Sequence, residues 1–336
     1  MNTALKRLPL LGIVIVATGC DNVEWGGVEL GFSSPADSPV SETSAEVGEV
    51  VEDPVPEDRP MGPVLYLGHR AGGEATLVAV AEIRPEGLFP LEAVGSVEAS
   101  RAFMAEHLTL GMEFTLFSDG ARVGRLIADR FSVDGRYCSA RPQIRGPIEL
   151  TPVAATVERF LALPATEGNA FEYGAYSPVD QTRDLRVTSL TAMQEIIPSV
   201  GALWPVSVLG IRQDVQMFRA TPNGAPTVVA TFVYADDLRV GPAALGAYSV
   251  FLASDDDGVG YRSTYADYRL FSRDGKGAAR YFDHLDVDGD GSDEMVLEVM
   301  GEDAMWLSTL GRQGGAWVEE YRDPCGLPPS SSAPAN

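Results

Sequence analysis

The sequence predicts an α+β protein dominated by β-structure, with antiparallel hairpins, a meander and a few short helices. Three observations predict it. Short runs of alternating apolar and polar residues recur along the chain, Gly and Asp-Gly pairs punctuate them, and 3.6-residue spacing is rare. The 336 residues are 45% hydrophobic and 22% charged, too apolar for a disordered chain and too polar for a polytopic membrane protein. At about 100–200 residues per domain, that length suggests two domains.

At the N-terminus, Lys6 and Arg7 precede an apolar run from Leu8 to Ala17 that is too short to span a bilayer but suits a signal-peptide core. The following Ala17-Thr18-Gly19-Cys20 resembles a bacterial lipobox, in which the cysteine thiol is diacylated and becomes the mature N-terminus. That resemblance implies a lipoprotein signal peptide over 1–19, lipidation at Cys20, and a place in the bacterial cell envelope, anchored by lipid to a membrane. A plain secretory signal with an incidental Cys20 is the alternative, and it too implies export.

Residues 20–60 read as an acidic tether. Prolines stand at 35, 39, 54, 56 and 60, and eleven Asp or Glu face one Arg in residues 21–60. Such a segment buries too little apolar surface to offset its ordering entropy, and its like charges push it open. A flexible chain of this length has a root-mean-square span of roughly 30–40 Å. The Pro/Ser-rich residues 326–336 read as a disordered tail.

Between them, residues 61–150 read as a β-rich region. Val64–His69 and Ala75–Ile83 flank Ala71-Gly72-Gly73, and Glu113–Phe117 and Val123–Phe131 flank Ser118-Asp119-Gly120-Ala121. Asp134-Gly135 offers a further reversal, while Ser96–Leu108 has helical spacing. Residues 151–325 read as an α+β region. Its helices are predicted over Pro152–Leu163, from Val153, Val157, Phe160 and Leu161, and over Thr188–Ile197, stopped by Pro198. Its strands follow as a meander: Val215–Ala220, Thr227–Tyr234, Tyr248–Ala253, Tyr261–Phe271, Ala278–His284, Met295–Val299, Trp306–Leu310 and Trp317–Tyr321.

With Cys20 set aside, Cys138 and Cys325 form an even pair in an exported chain, which a disulfide explains economically; two unpaired thiols are the alternative.

The stretch His284-Leu285-Asp286-Val287-Asp288-Gly289-Asp290-Gly291-Ser292-Asp293-Glu294 is the most specific motif. Carboxylates at relative positions 1, 3, 5 and 9 can converge on a hard cation, so Asp286, Asp288, Asp290 and Glu294, with the Ser292 carbonyl, are the predicted ligands of a structural Ca²⁺. Position 12, a bidentate Glu in an EF-hand, is Leu297, so that motif fails. The loop instead resembles the DxDGDGxxD/E calcium loop of FG-GAP and VCBS repeats, which sits between strands of propeller blades. One good copy is present, so the resemblance implies a blade-like, partial propeller in the C-terminal part. A solvated Asp/Gly turn without metal is the competing reading.

The formal net charge of -23 disfavours nucleic acid as a partner. His69, His107 and His284 are far apart in sequence, and no zinc spacing, P-loop or nucleophile elbow occurs. These features favour a membrane-anchored envelope lipoprotein with a non-catalytic binding or scaffolding role toward a protein or envelope polymer. An envelope-associated, carboxylate-based hydrolase of glycosidase type is the competing class.

Overall fold

The computed structural model describes residues 61–91, 94–168, 174–221 and 223–328. All of them fall in the compact unit Asp58–Asn336; the other unit, Met1–Glu57, contains no described residue. The predicted signal peptide, Cys20 and the whole predicted tether over 20–60 therefore lie outside the described residues, as does the predicted tail beyond Pro328.

The chain is β-dominated and its sheet pairings are antiparallel, as the alternating runs require. The first strands are β1 (Val64–Ala71), β2 (Glu74–Arg84) and β3 (Gly87–Phe89), followed by helix α1 (Val97–His107). Then come β4 (Glu113–Ser118), β5 (Ala121–Ile127), β6 (Arg130–Asp134), β7 (Arg141–Leu150) and β8 (Arg159–Pro164). These eight strands form one sheet in the order β3-β2-β1-β8-β4-β5-β7-β6. A further pairing of β2 with β7, Thr76 opposite Arg145 and Val78 opposite Gln143, closes six of them into a ring. Closure removes the exposed edges that an open sheet would present.

The predicted helix over Pro152–Leu163 is not formed. Only Pro152–Ala154 makes a 3-10 turn, and the rest of the apolar run is β8, hydrogen-bonded between β1 and β4. The physical reason lies in burial on both faces: Phe160 and Ala162 enter the barrel core with Tyr66, Leu77 and Phe114, whereas Leu161 and Leu163 face outward against Phe282, Val296 and Leu307. A strand buried on both sides reads as a continuous apolar run, which can match helical spacing by accident. Strand β8 also lies beyond the predicted region boundary at 150/151 yet belongs to the first sheet. The run predicted as one strand, Val123–Phe131, is divided into β5 and β6.

A short helical turn, α2 (Ala165–Gly168), precedes α3 (Arg183–Ser199), which covers the predicted Thr188–Ile197 and carries Pro198 in its last turn. Ser96 caps α1 and Thr182 caps α3, each side-chain oxygen accepting a first-turn N–H. The meander then runs β9 (Arg212–Phe218), β10 (Thr227–Tyr234), β11 (Tyr248–Asp256) and β12 (Tyr261–Leu270) in one four-stranded sheet. After the turn α4 (Phe271–Asp274), β13 (Ala278–Leu285), β14 (Glu294–Met300), β15 (Met305–Gln313) and β16 (Ala316–Arg322) form a second. Two blade-like sheets thus make up the C-terminal part.

Period-2 alternation stacks these layers. Along β14, Val296 and Met300 pack toward the barrel, while Met295, Leu297 and Val299 pack toward Phe251 and Ala253 of the β9–β12 sheet. The far face of that sheet, with Phe232, Val250 and Leu252, is covered by Met193, Ile196 and Ile197 of α3. The Cys138–Cys325 pair is joined, with Cα atoms 6.0 Å apart. It ties the loop before β7 to the segment just after β16. The start of the predicted tail is held as well: Leu327 packs beside the Trp306 cluster and the Pro328 carbonyl accepts from Arg269 Nη2 at 2.7 Å.

Candidate functional site

The loop between β13 and β14 folds around its own backbone. Asp286 accepts N–H groups of Gly289 at 2.7 Å and Gly291 at 2.9 Å through its two oxygens, and Glu294 Oε2 accepts from Val287 at 2.8 Å. Gly289 and Gly291 have φ of 78° and 89°, a backbone region that admits glycine without strain. Carboxylate oxygens of Asp286, Asp288 and Glu294 come within 4.8 Å of one another. Asp290 is outside that trio, and its Oδ1 accepts the Ser292 N–H at 2.7 Å. The loop therefore brings together three of the four predicted carboxylate ligands.

An all-oxygen donor set suits a hard cation over a soft one. The electrostatics point the same way. Burial, then the neighbouring charges of Asp288 and Asp286, push Glu294 up to about 8, and burial with Asp286 pushes Asp293 up to about 7. Asp288 is raised by burial and by the charges of Asp290 and Asp286. Carboxylates so crowded resist ionising together unless a cation joins them.

This loop forms one wall of a groove of about 1020 Å³. Its other walls come from the β4–β5 turn at Asp119–Ala121, from residues 174–179 and from the β9–β10 connection around Arg219 and Thr221. The β4–β5 turn is the Asp-Gly reversal expected from sequence, with φ of 48° at Asp119 and 65° at Gly120, as a type I′ hairpin requires. A Cβ on Gly120 would stand 2.5 Å from Asp293 Oδ2 and push that side chain aside, and the φ of 65° there already favours glycine. The Asp293 N–H donates to the Ala220 carbonyl at 3.0 Å, fastening the loop to the β9–β10 connection.

Under the groove lie side chains that sequence reasoning did not assign to a site. Asp119, Asp283 and His284 have ligand atoms within 4.8 Å of one another. Asp283 is fully buried, and its Oδ1 accepts the N–H groups of Asp119 and His284, each at 2.9 Å. It thereby fixes the turn against β13. Burial raises Asp283 well above the carboxylate range, with the Asp119 charge adding to it, and lifts Asp119 to about 6. His284, also buried, is lowered to about 3 and is neutral. Burial keeps the Tyr281 phenol protonated, so it donates to His284 Nδ1 at 2.6 Å; the ring hydrogen then sits on Nε2, which faces Asp293 Oδ2 at 3.3 Å. Asp119 and Asp283 are 164 residues apart; the sequence placed the first in an Asp-Gly turn and the second in the strand Ala278–His284, with no signal that joined them.

No protein-family model matches the chain, no curated protein matches it, and no solved structure matches it.

Proposed function

We propose that this chain is an exported lipoprotein, held to a bacterial envelope membrane through acyl groups on Cys20, whose folded part is a non-catalytic binding or scaffolding module for a protein or envelope polymer. The loop Asp286–Glu294 takes a structural Ca²⁺, with Asp286, Asp288 and Glu294 as the carboxylate ligands. The observation that carries this reading is that the converging carboxylates and the groove share one wall, so a cation in the loop would set the shape of the groove. Buried acyl CH₂ groups contribute about 0.8 kcal/mol each, so several chains would anchor the protein firmly.

The calcium assignment has a signed consequence. Glu294 and Asp293 are raised above their unfolded values, so without metal their contribution to stability is complete below about pH 4 and is lost as pH rises toward 8. In EDTA the melting temperature should therefore fall between pH 5 and 8, and the gain from Ca²⁺ should grow over that same range. Extracellular calcium modules bind at roughly 10⁻⁴–10⁻³ M, so 1 mM Ca²⁺ should add about 0.4–1.4 kcal/mol at neutral pH. Mg²⁺ should add less, and Asp288→Ala should remove most of the response. A melting temperature indifferent to millimolar Ca²⁺ would reduce the loop to a solvated turn. The anchor is tested separately: Cys20→Ser should stay exported but leave the membrane fraction, and undiminished partitioning with membranes would refute lipidation there.

The hydrolase reading draws on Asp119 and Asp293, both facing the groove and pushed to about 6 and 7, the range of a general acid. Against it, Asp293 adjoins the cation ligand Glu294, so bound metal would lower it and remove its proton. Incubation with peptidoglycan and envelope polysaccharides separates the two. Calcium-dependent retention without new reducing ends or peptide release fits binding, whereas release abolished by Asp119→Asn fits hydrolysis.

A further inference from the structure

A second cavity, of about 590 Å³, lies where the barrel meets the two blade-like sheets, and it is independent of the cation loop. Arg70 at the end of β1, Arg159 at the start of β8 and Arg280 on β13 line it, together with Glu158, Gln213 and Asp214. The three arginines are not equivalent. Arg280 Nη2 is 2.5 Å from Glu298 Oε2, and that buried carboxylate also receives Tyr137 Oη at 3.1 Å and lies 3.5 Å from His69 Nε2. The Arg280 charge is thus compensated inside the protein.

Arg70 and Arg159 are held by neutral acceptors alone. Arg70 donates to the carbonyls of Gly72 and Ala155, and Arg159 donates to the Tyr281 carbonyl at 3.1 Å with its guanidinium 5.8 Å from the Phe282 ring centre. Among the described residues, neither has a carboxylate within 4.0 Å. Glu158 and Asp214 likewise form no ion pair among the described residues, and Asp214 is engaged instead by Gln216 Nε2 at 2.9 Å. Two guanidiniums and two carboxylates therefore surround one cavity without neutralising each other.

We infer that this cavity binds a small carboxylate that carries amino or hydroxyl groups, its acid group received by Arg159 and Arg70 and its donors by Asp214 and Glu158. A guanidinium fork matches a carboxylate bidentately, and the carbonyls that hold both forks in place reduce the ordering that binding requires. The mixed lining disfavours a bare oxyanion, which would meet the two acids with nothing to offer them.

The test is calorimetric titration of the full chain with glutamate, glucuronate, glucose and inorganic phosphate. Saturable binding of glutamate or glucuronate is expected at a Kd on the order of 0.1–1 mM, with glucose and phosphate at least tenfold weaker. It should persist in EDTA below the melting temperature, so failure of the calcium loop and failure of this site are distinguishable. Arg159→Gln and Arg70→Gln should each weaken binding at least tenfold, and Arg159→Lys should restore only part of it. Arg159 also supports β13, so the melting temperature of each variant is measured alongside, and Arg70→Gln serves if Arg159→Gln does not fold. Absence of saturable heat with either carboxylate up to about 10 mM, equal binding of glucose or phosphate, or wild-type affinity in a folded Arg70→Gln variant would overturn the assignment.

Discussion

Replacing Cys138 and Cys325 together by serine should cost about 3–5 kcal/mol of stability and move the urea midpoint well down. The bridge spans 187 residues, for which the loop-entropy model gives roughly 5 kcal/mol as an upper figure. Its location adds to that. Cys138 N–H donates to the Met305 carbonyl at 2.8 Å, and Tyr137 bridges to Met305, so the bond sits where the barrel side meets the β13–β16 sheet. Without it, the unfolded chain gains freedom and the two layers lose their covalent tie. Equilibrium unfolding of wild type and the double serine variant checks the magnitude. Intact mass before and after reduction checks the bond itself, through a difference of two hydrogens. Equal masses, with both thiols open to alkylation, would refute the bridge.

Arg141→Met should destabilise the chain by about 3–5 kcal/mol, because it strands a buried carboxylate. Arg141 Nη2 is 2.7 Å from Asp323 Oδ2, with the two side chains 3% and 1% exposed. Arg141 also donates to the Val80 carbonyl at 2.6 Å, and Asp323 accepts from the Leu307 N–H at 2.7 Å and from Tyr321 Oη at 2.9 Å. One ion pair thus joins β2 and β7 of the barrel to β15 and β16. The double variant Arg141→Met/Asp323→Leu removes both charges and should recover much of the loss, since an apolar pair leaves no charge stranded. A double-mutant cycle by urea denaturation measures the coupling, which should exceed about 1 kcal/mol for groups in direct contact. A loss below about 1 kcal/mol in the single variant would mean that water reaches Asp323 and compensates it.

The cysteine count pointed to the Cys138–Cys325 pair, whereas no sequence pattern announced the Arg141–Asp323 contact. The hairpins were legible because their signals are local: Gly72 and the Asp119-Gly120 pair supply the positive φ that a tight reversal needs, and alternation supplies the faces. The acidic loop was legible for the same reason, since its converging carboxylates lie within nine residues of one another. Asp290 was expected to join them, but its carboxylate instead accepts the Ser292 N–H, a choice that side-chain spacing does not decide. The failure at Pro152–Leu163 has the opposite origin. Val153, Val157, Phe160 and Leu161 satisfy a helical period, yet Val153 is 72% exposed and Phe160 enters the barrel. Burial on two faces overrode the local signal.

The sequence by itself determined the β-dominated class, the turns, the α1 and α3 helices and the acidic loop, because each depends on residues within one or two turns of chain. Only the tertiary structure decided that β2 and β7 close a ring, that Asp283 reaches across 164 residues to hold the Asp119 turn, and that Arg70 and Arg159 meet at one cavity without a carboxylate partner among the described residues. The physical reason is that strand pairing and charge compensation are set by which surfaces are buried against each other. That information is spread over the whole chain, and no window of sequence contains it.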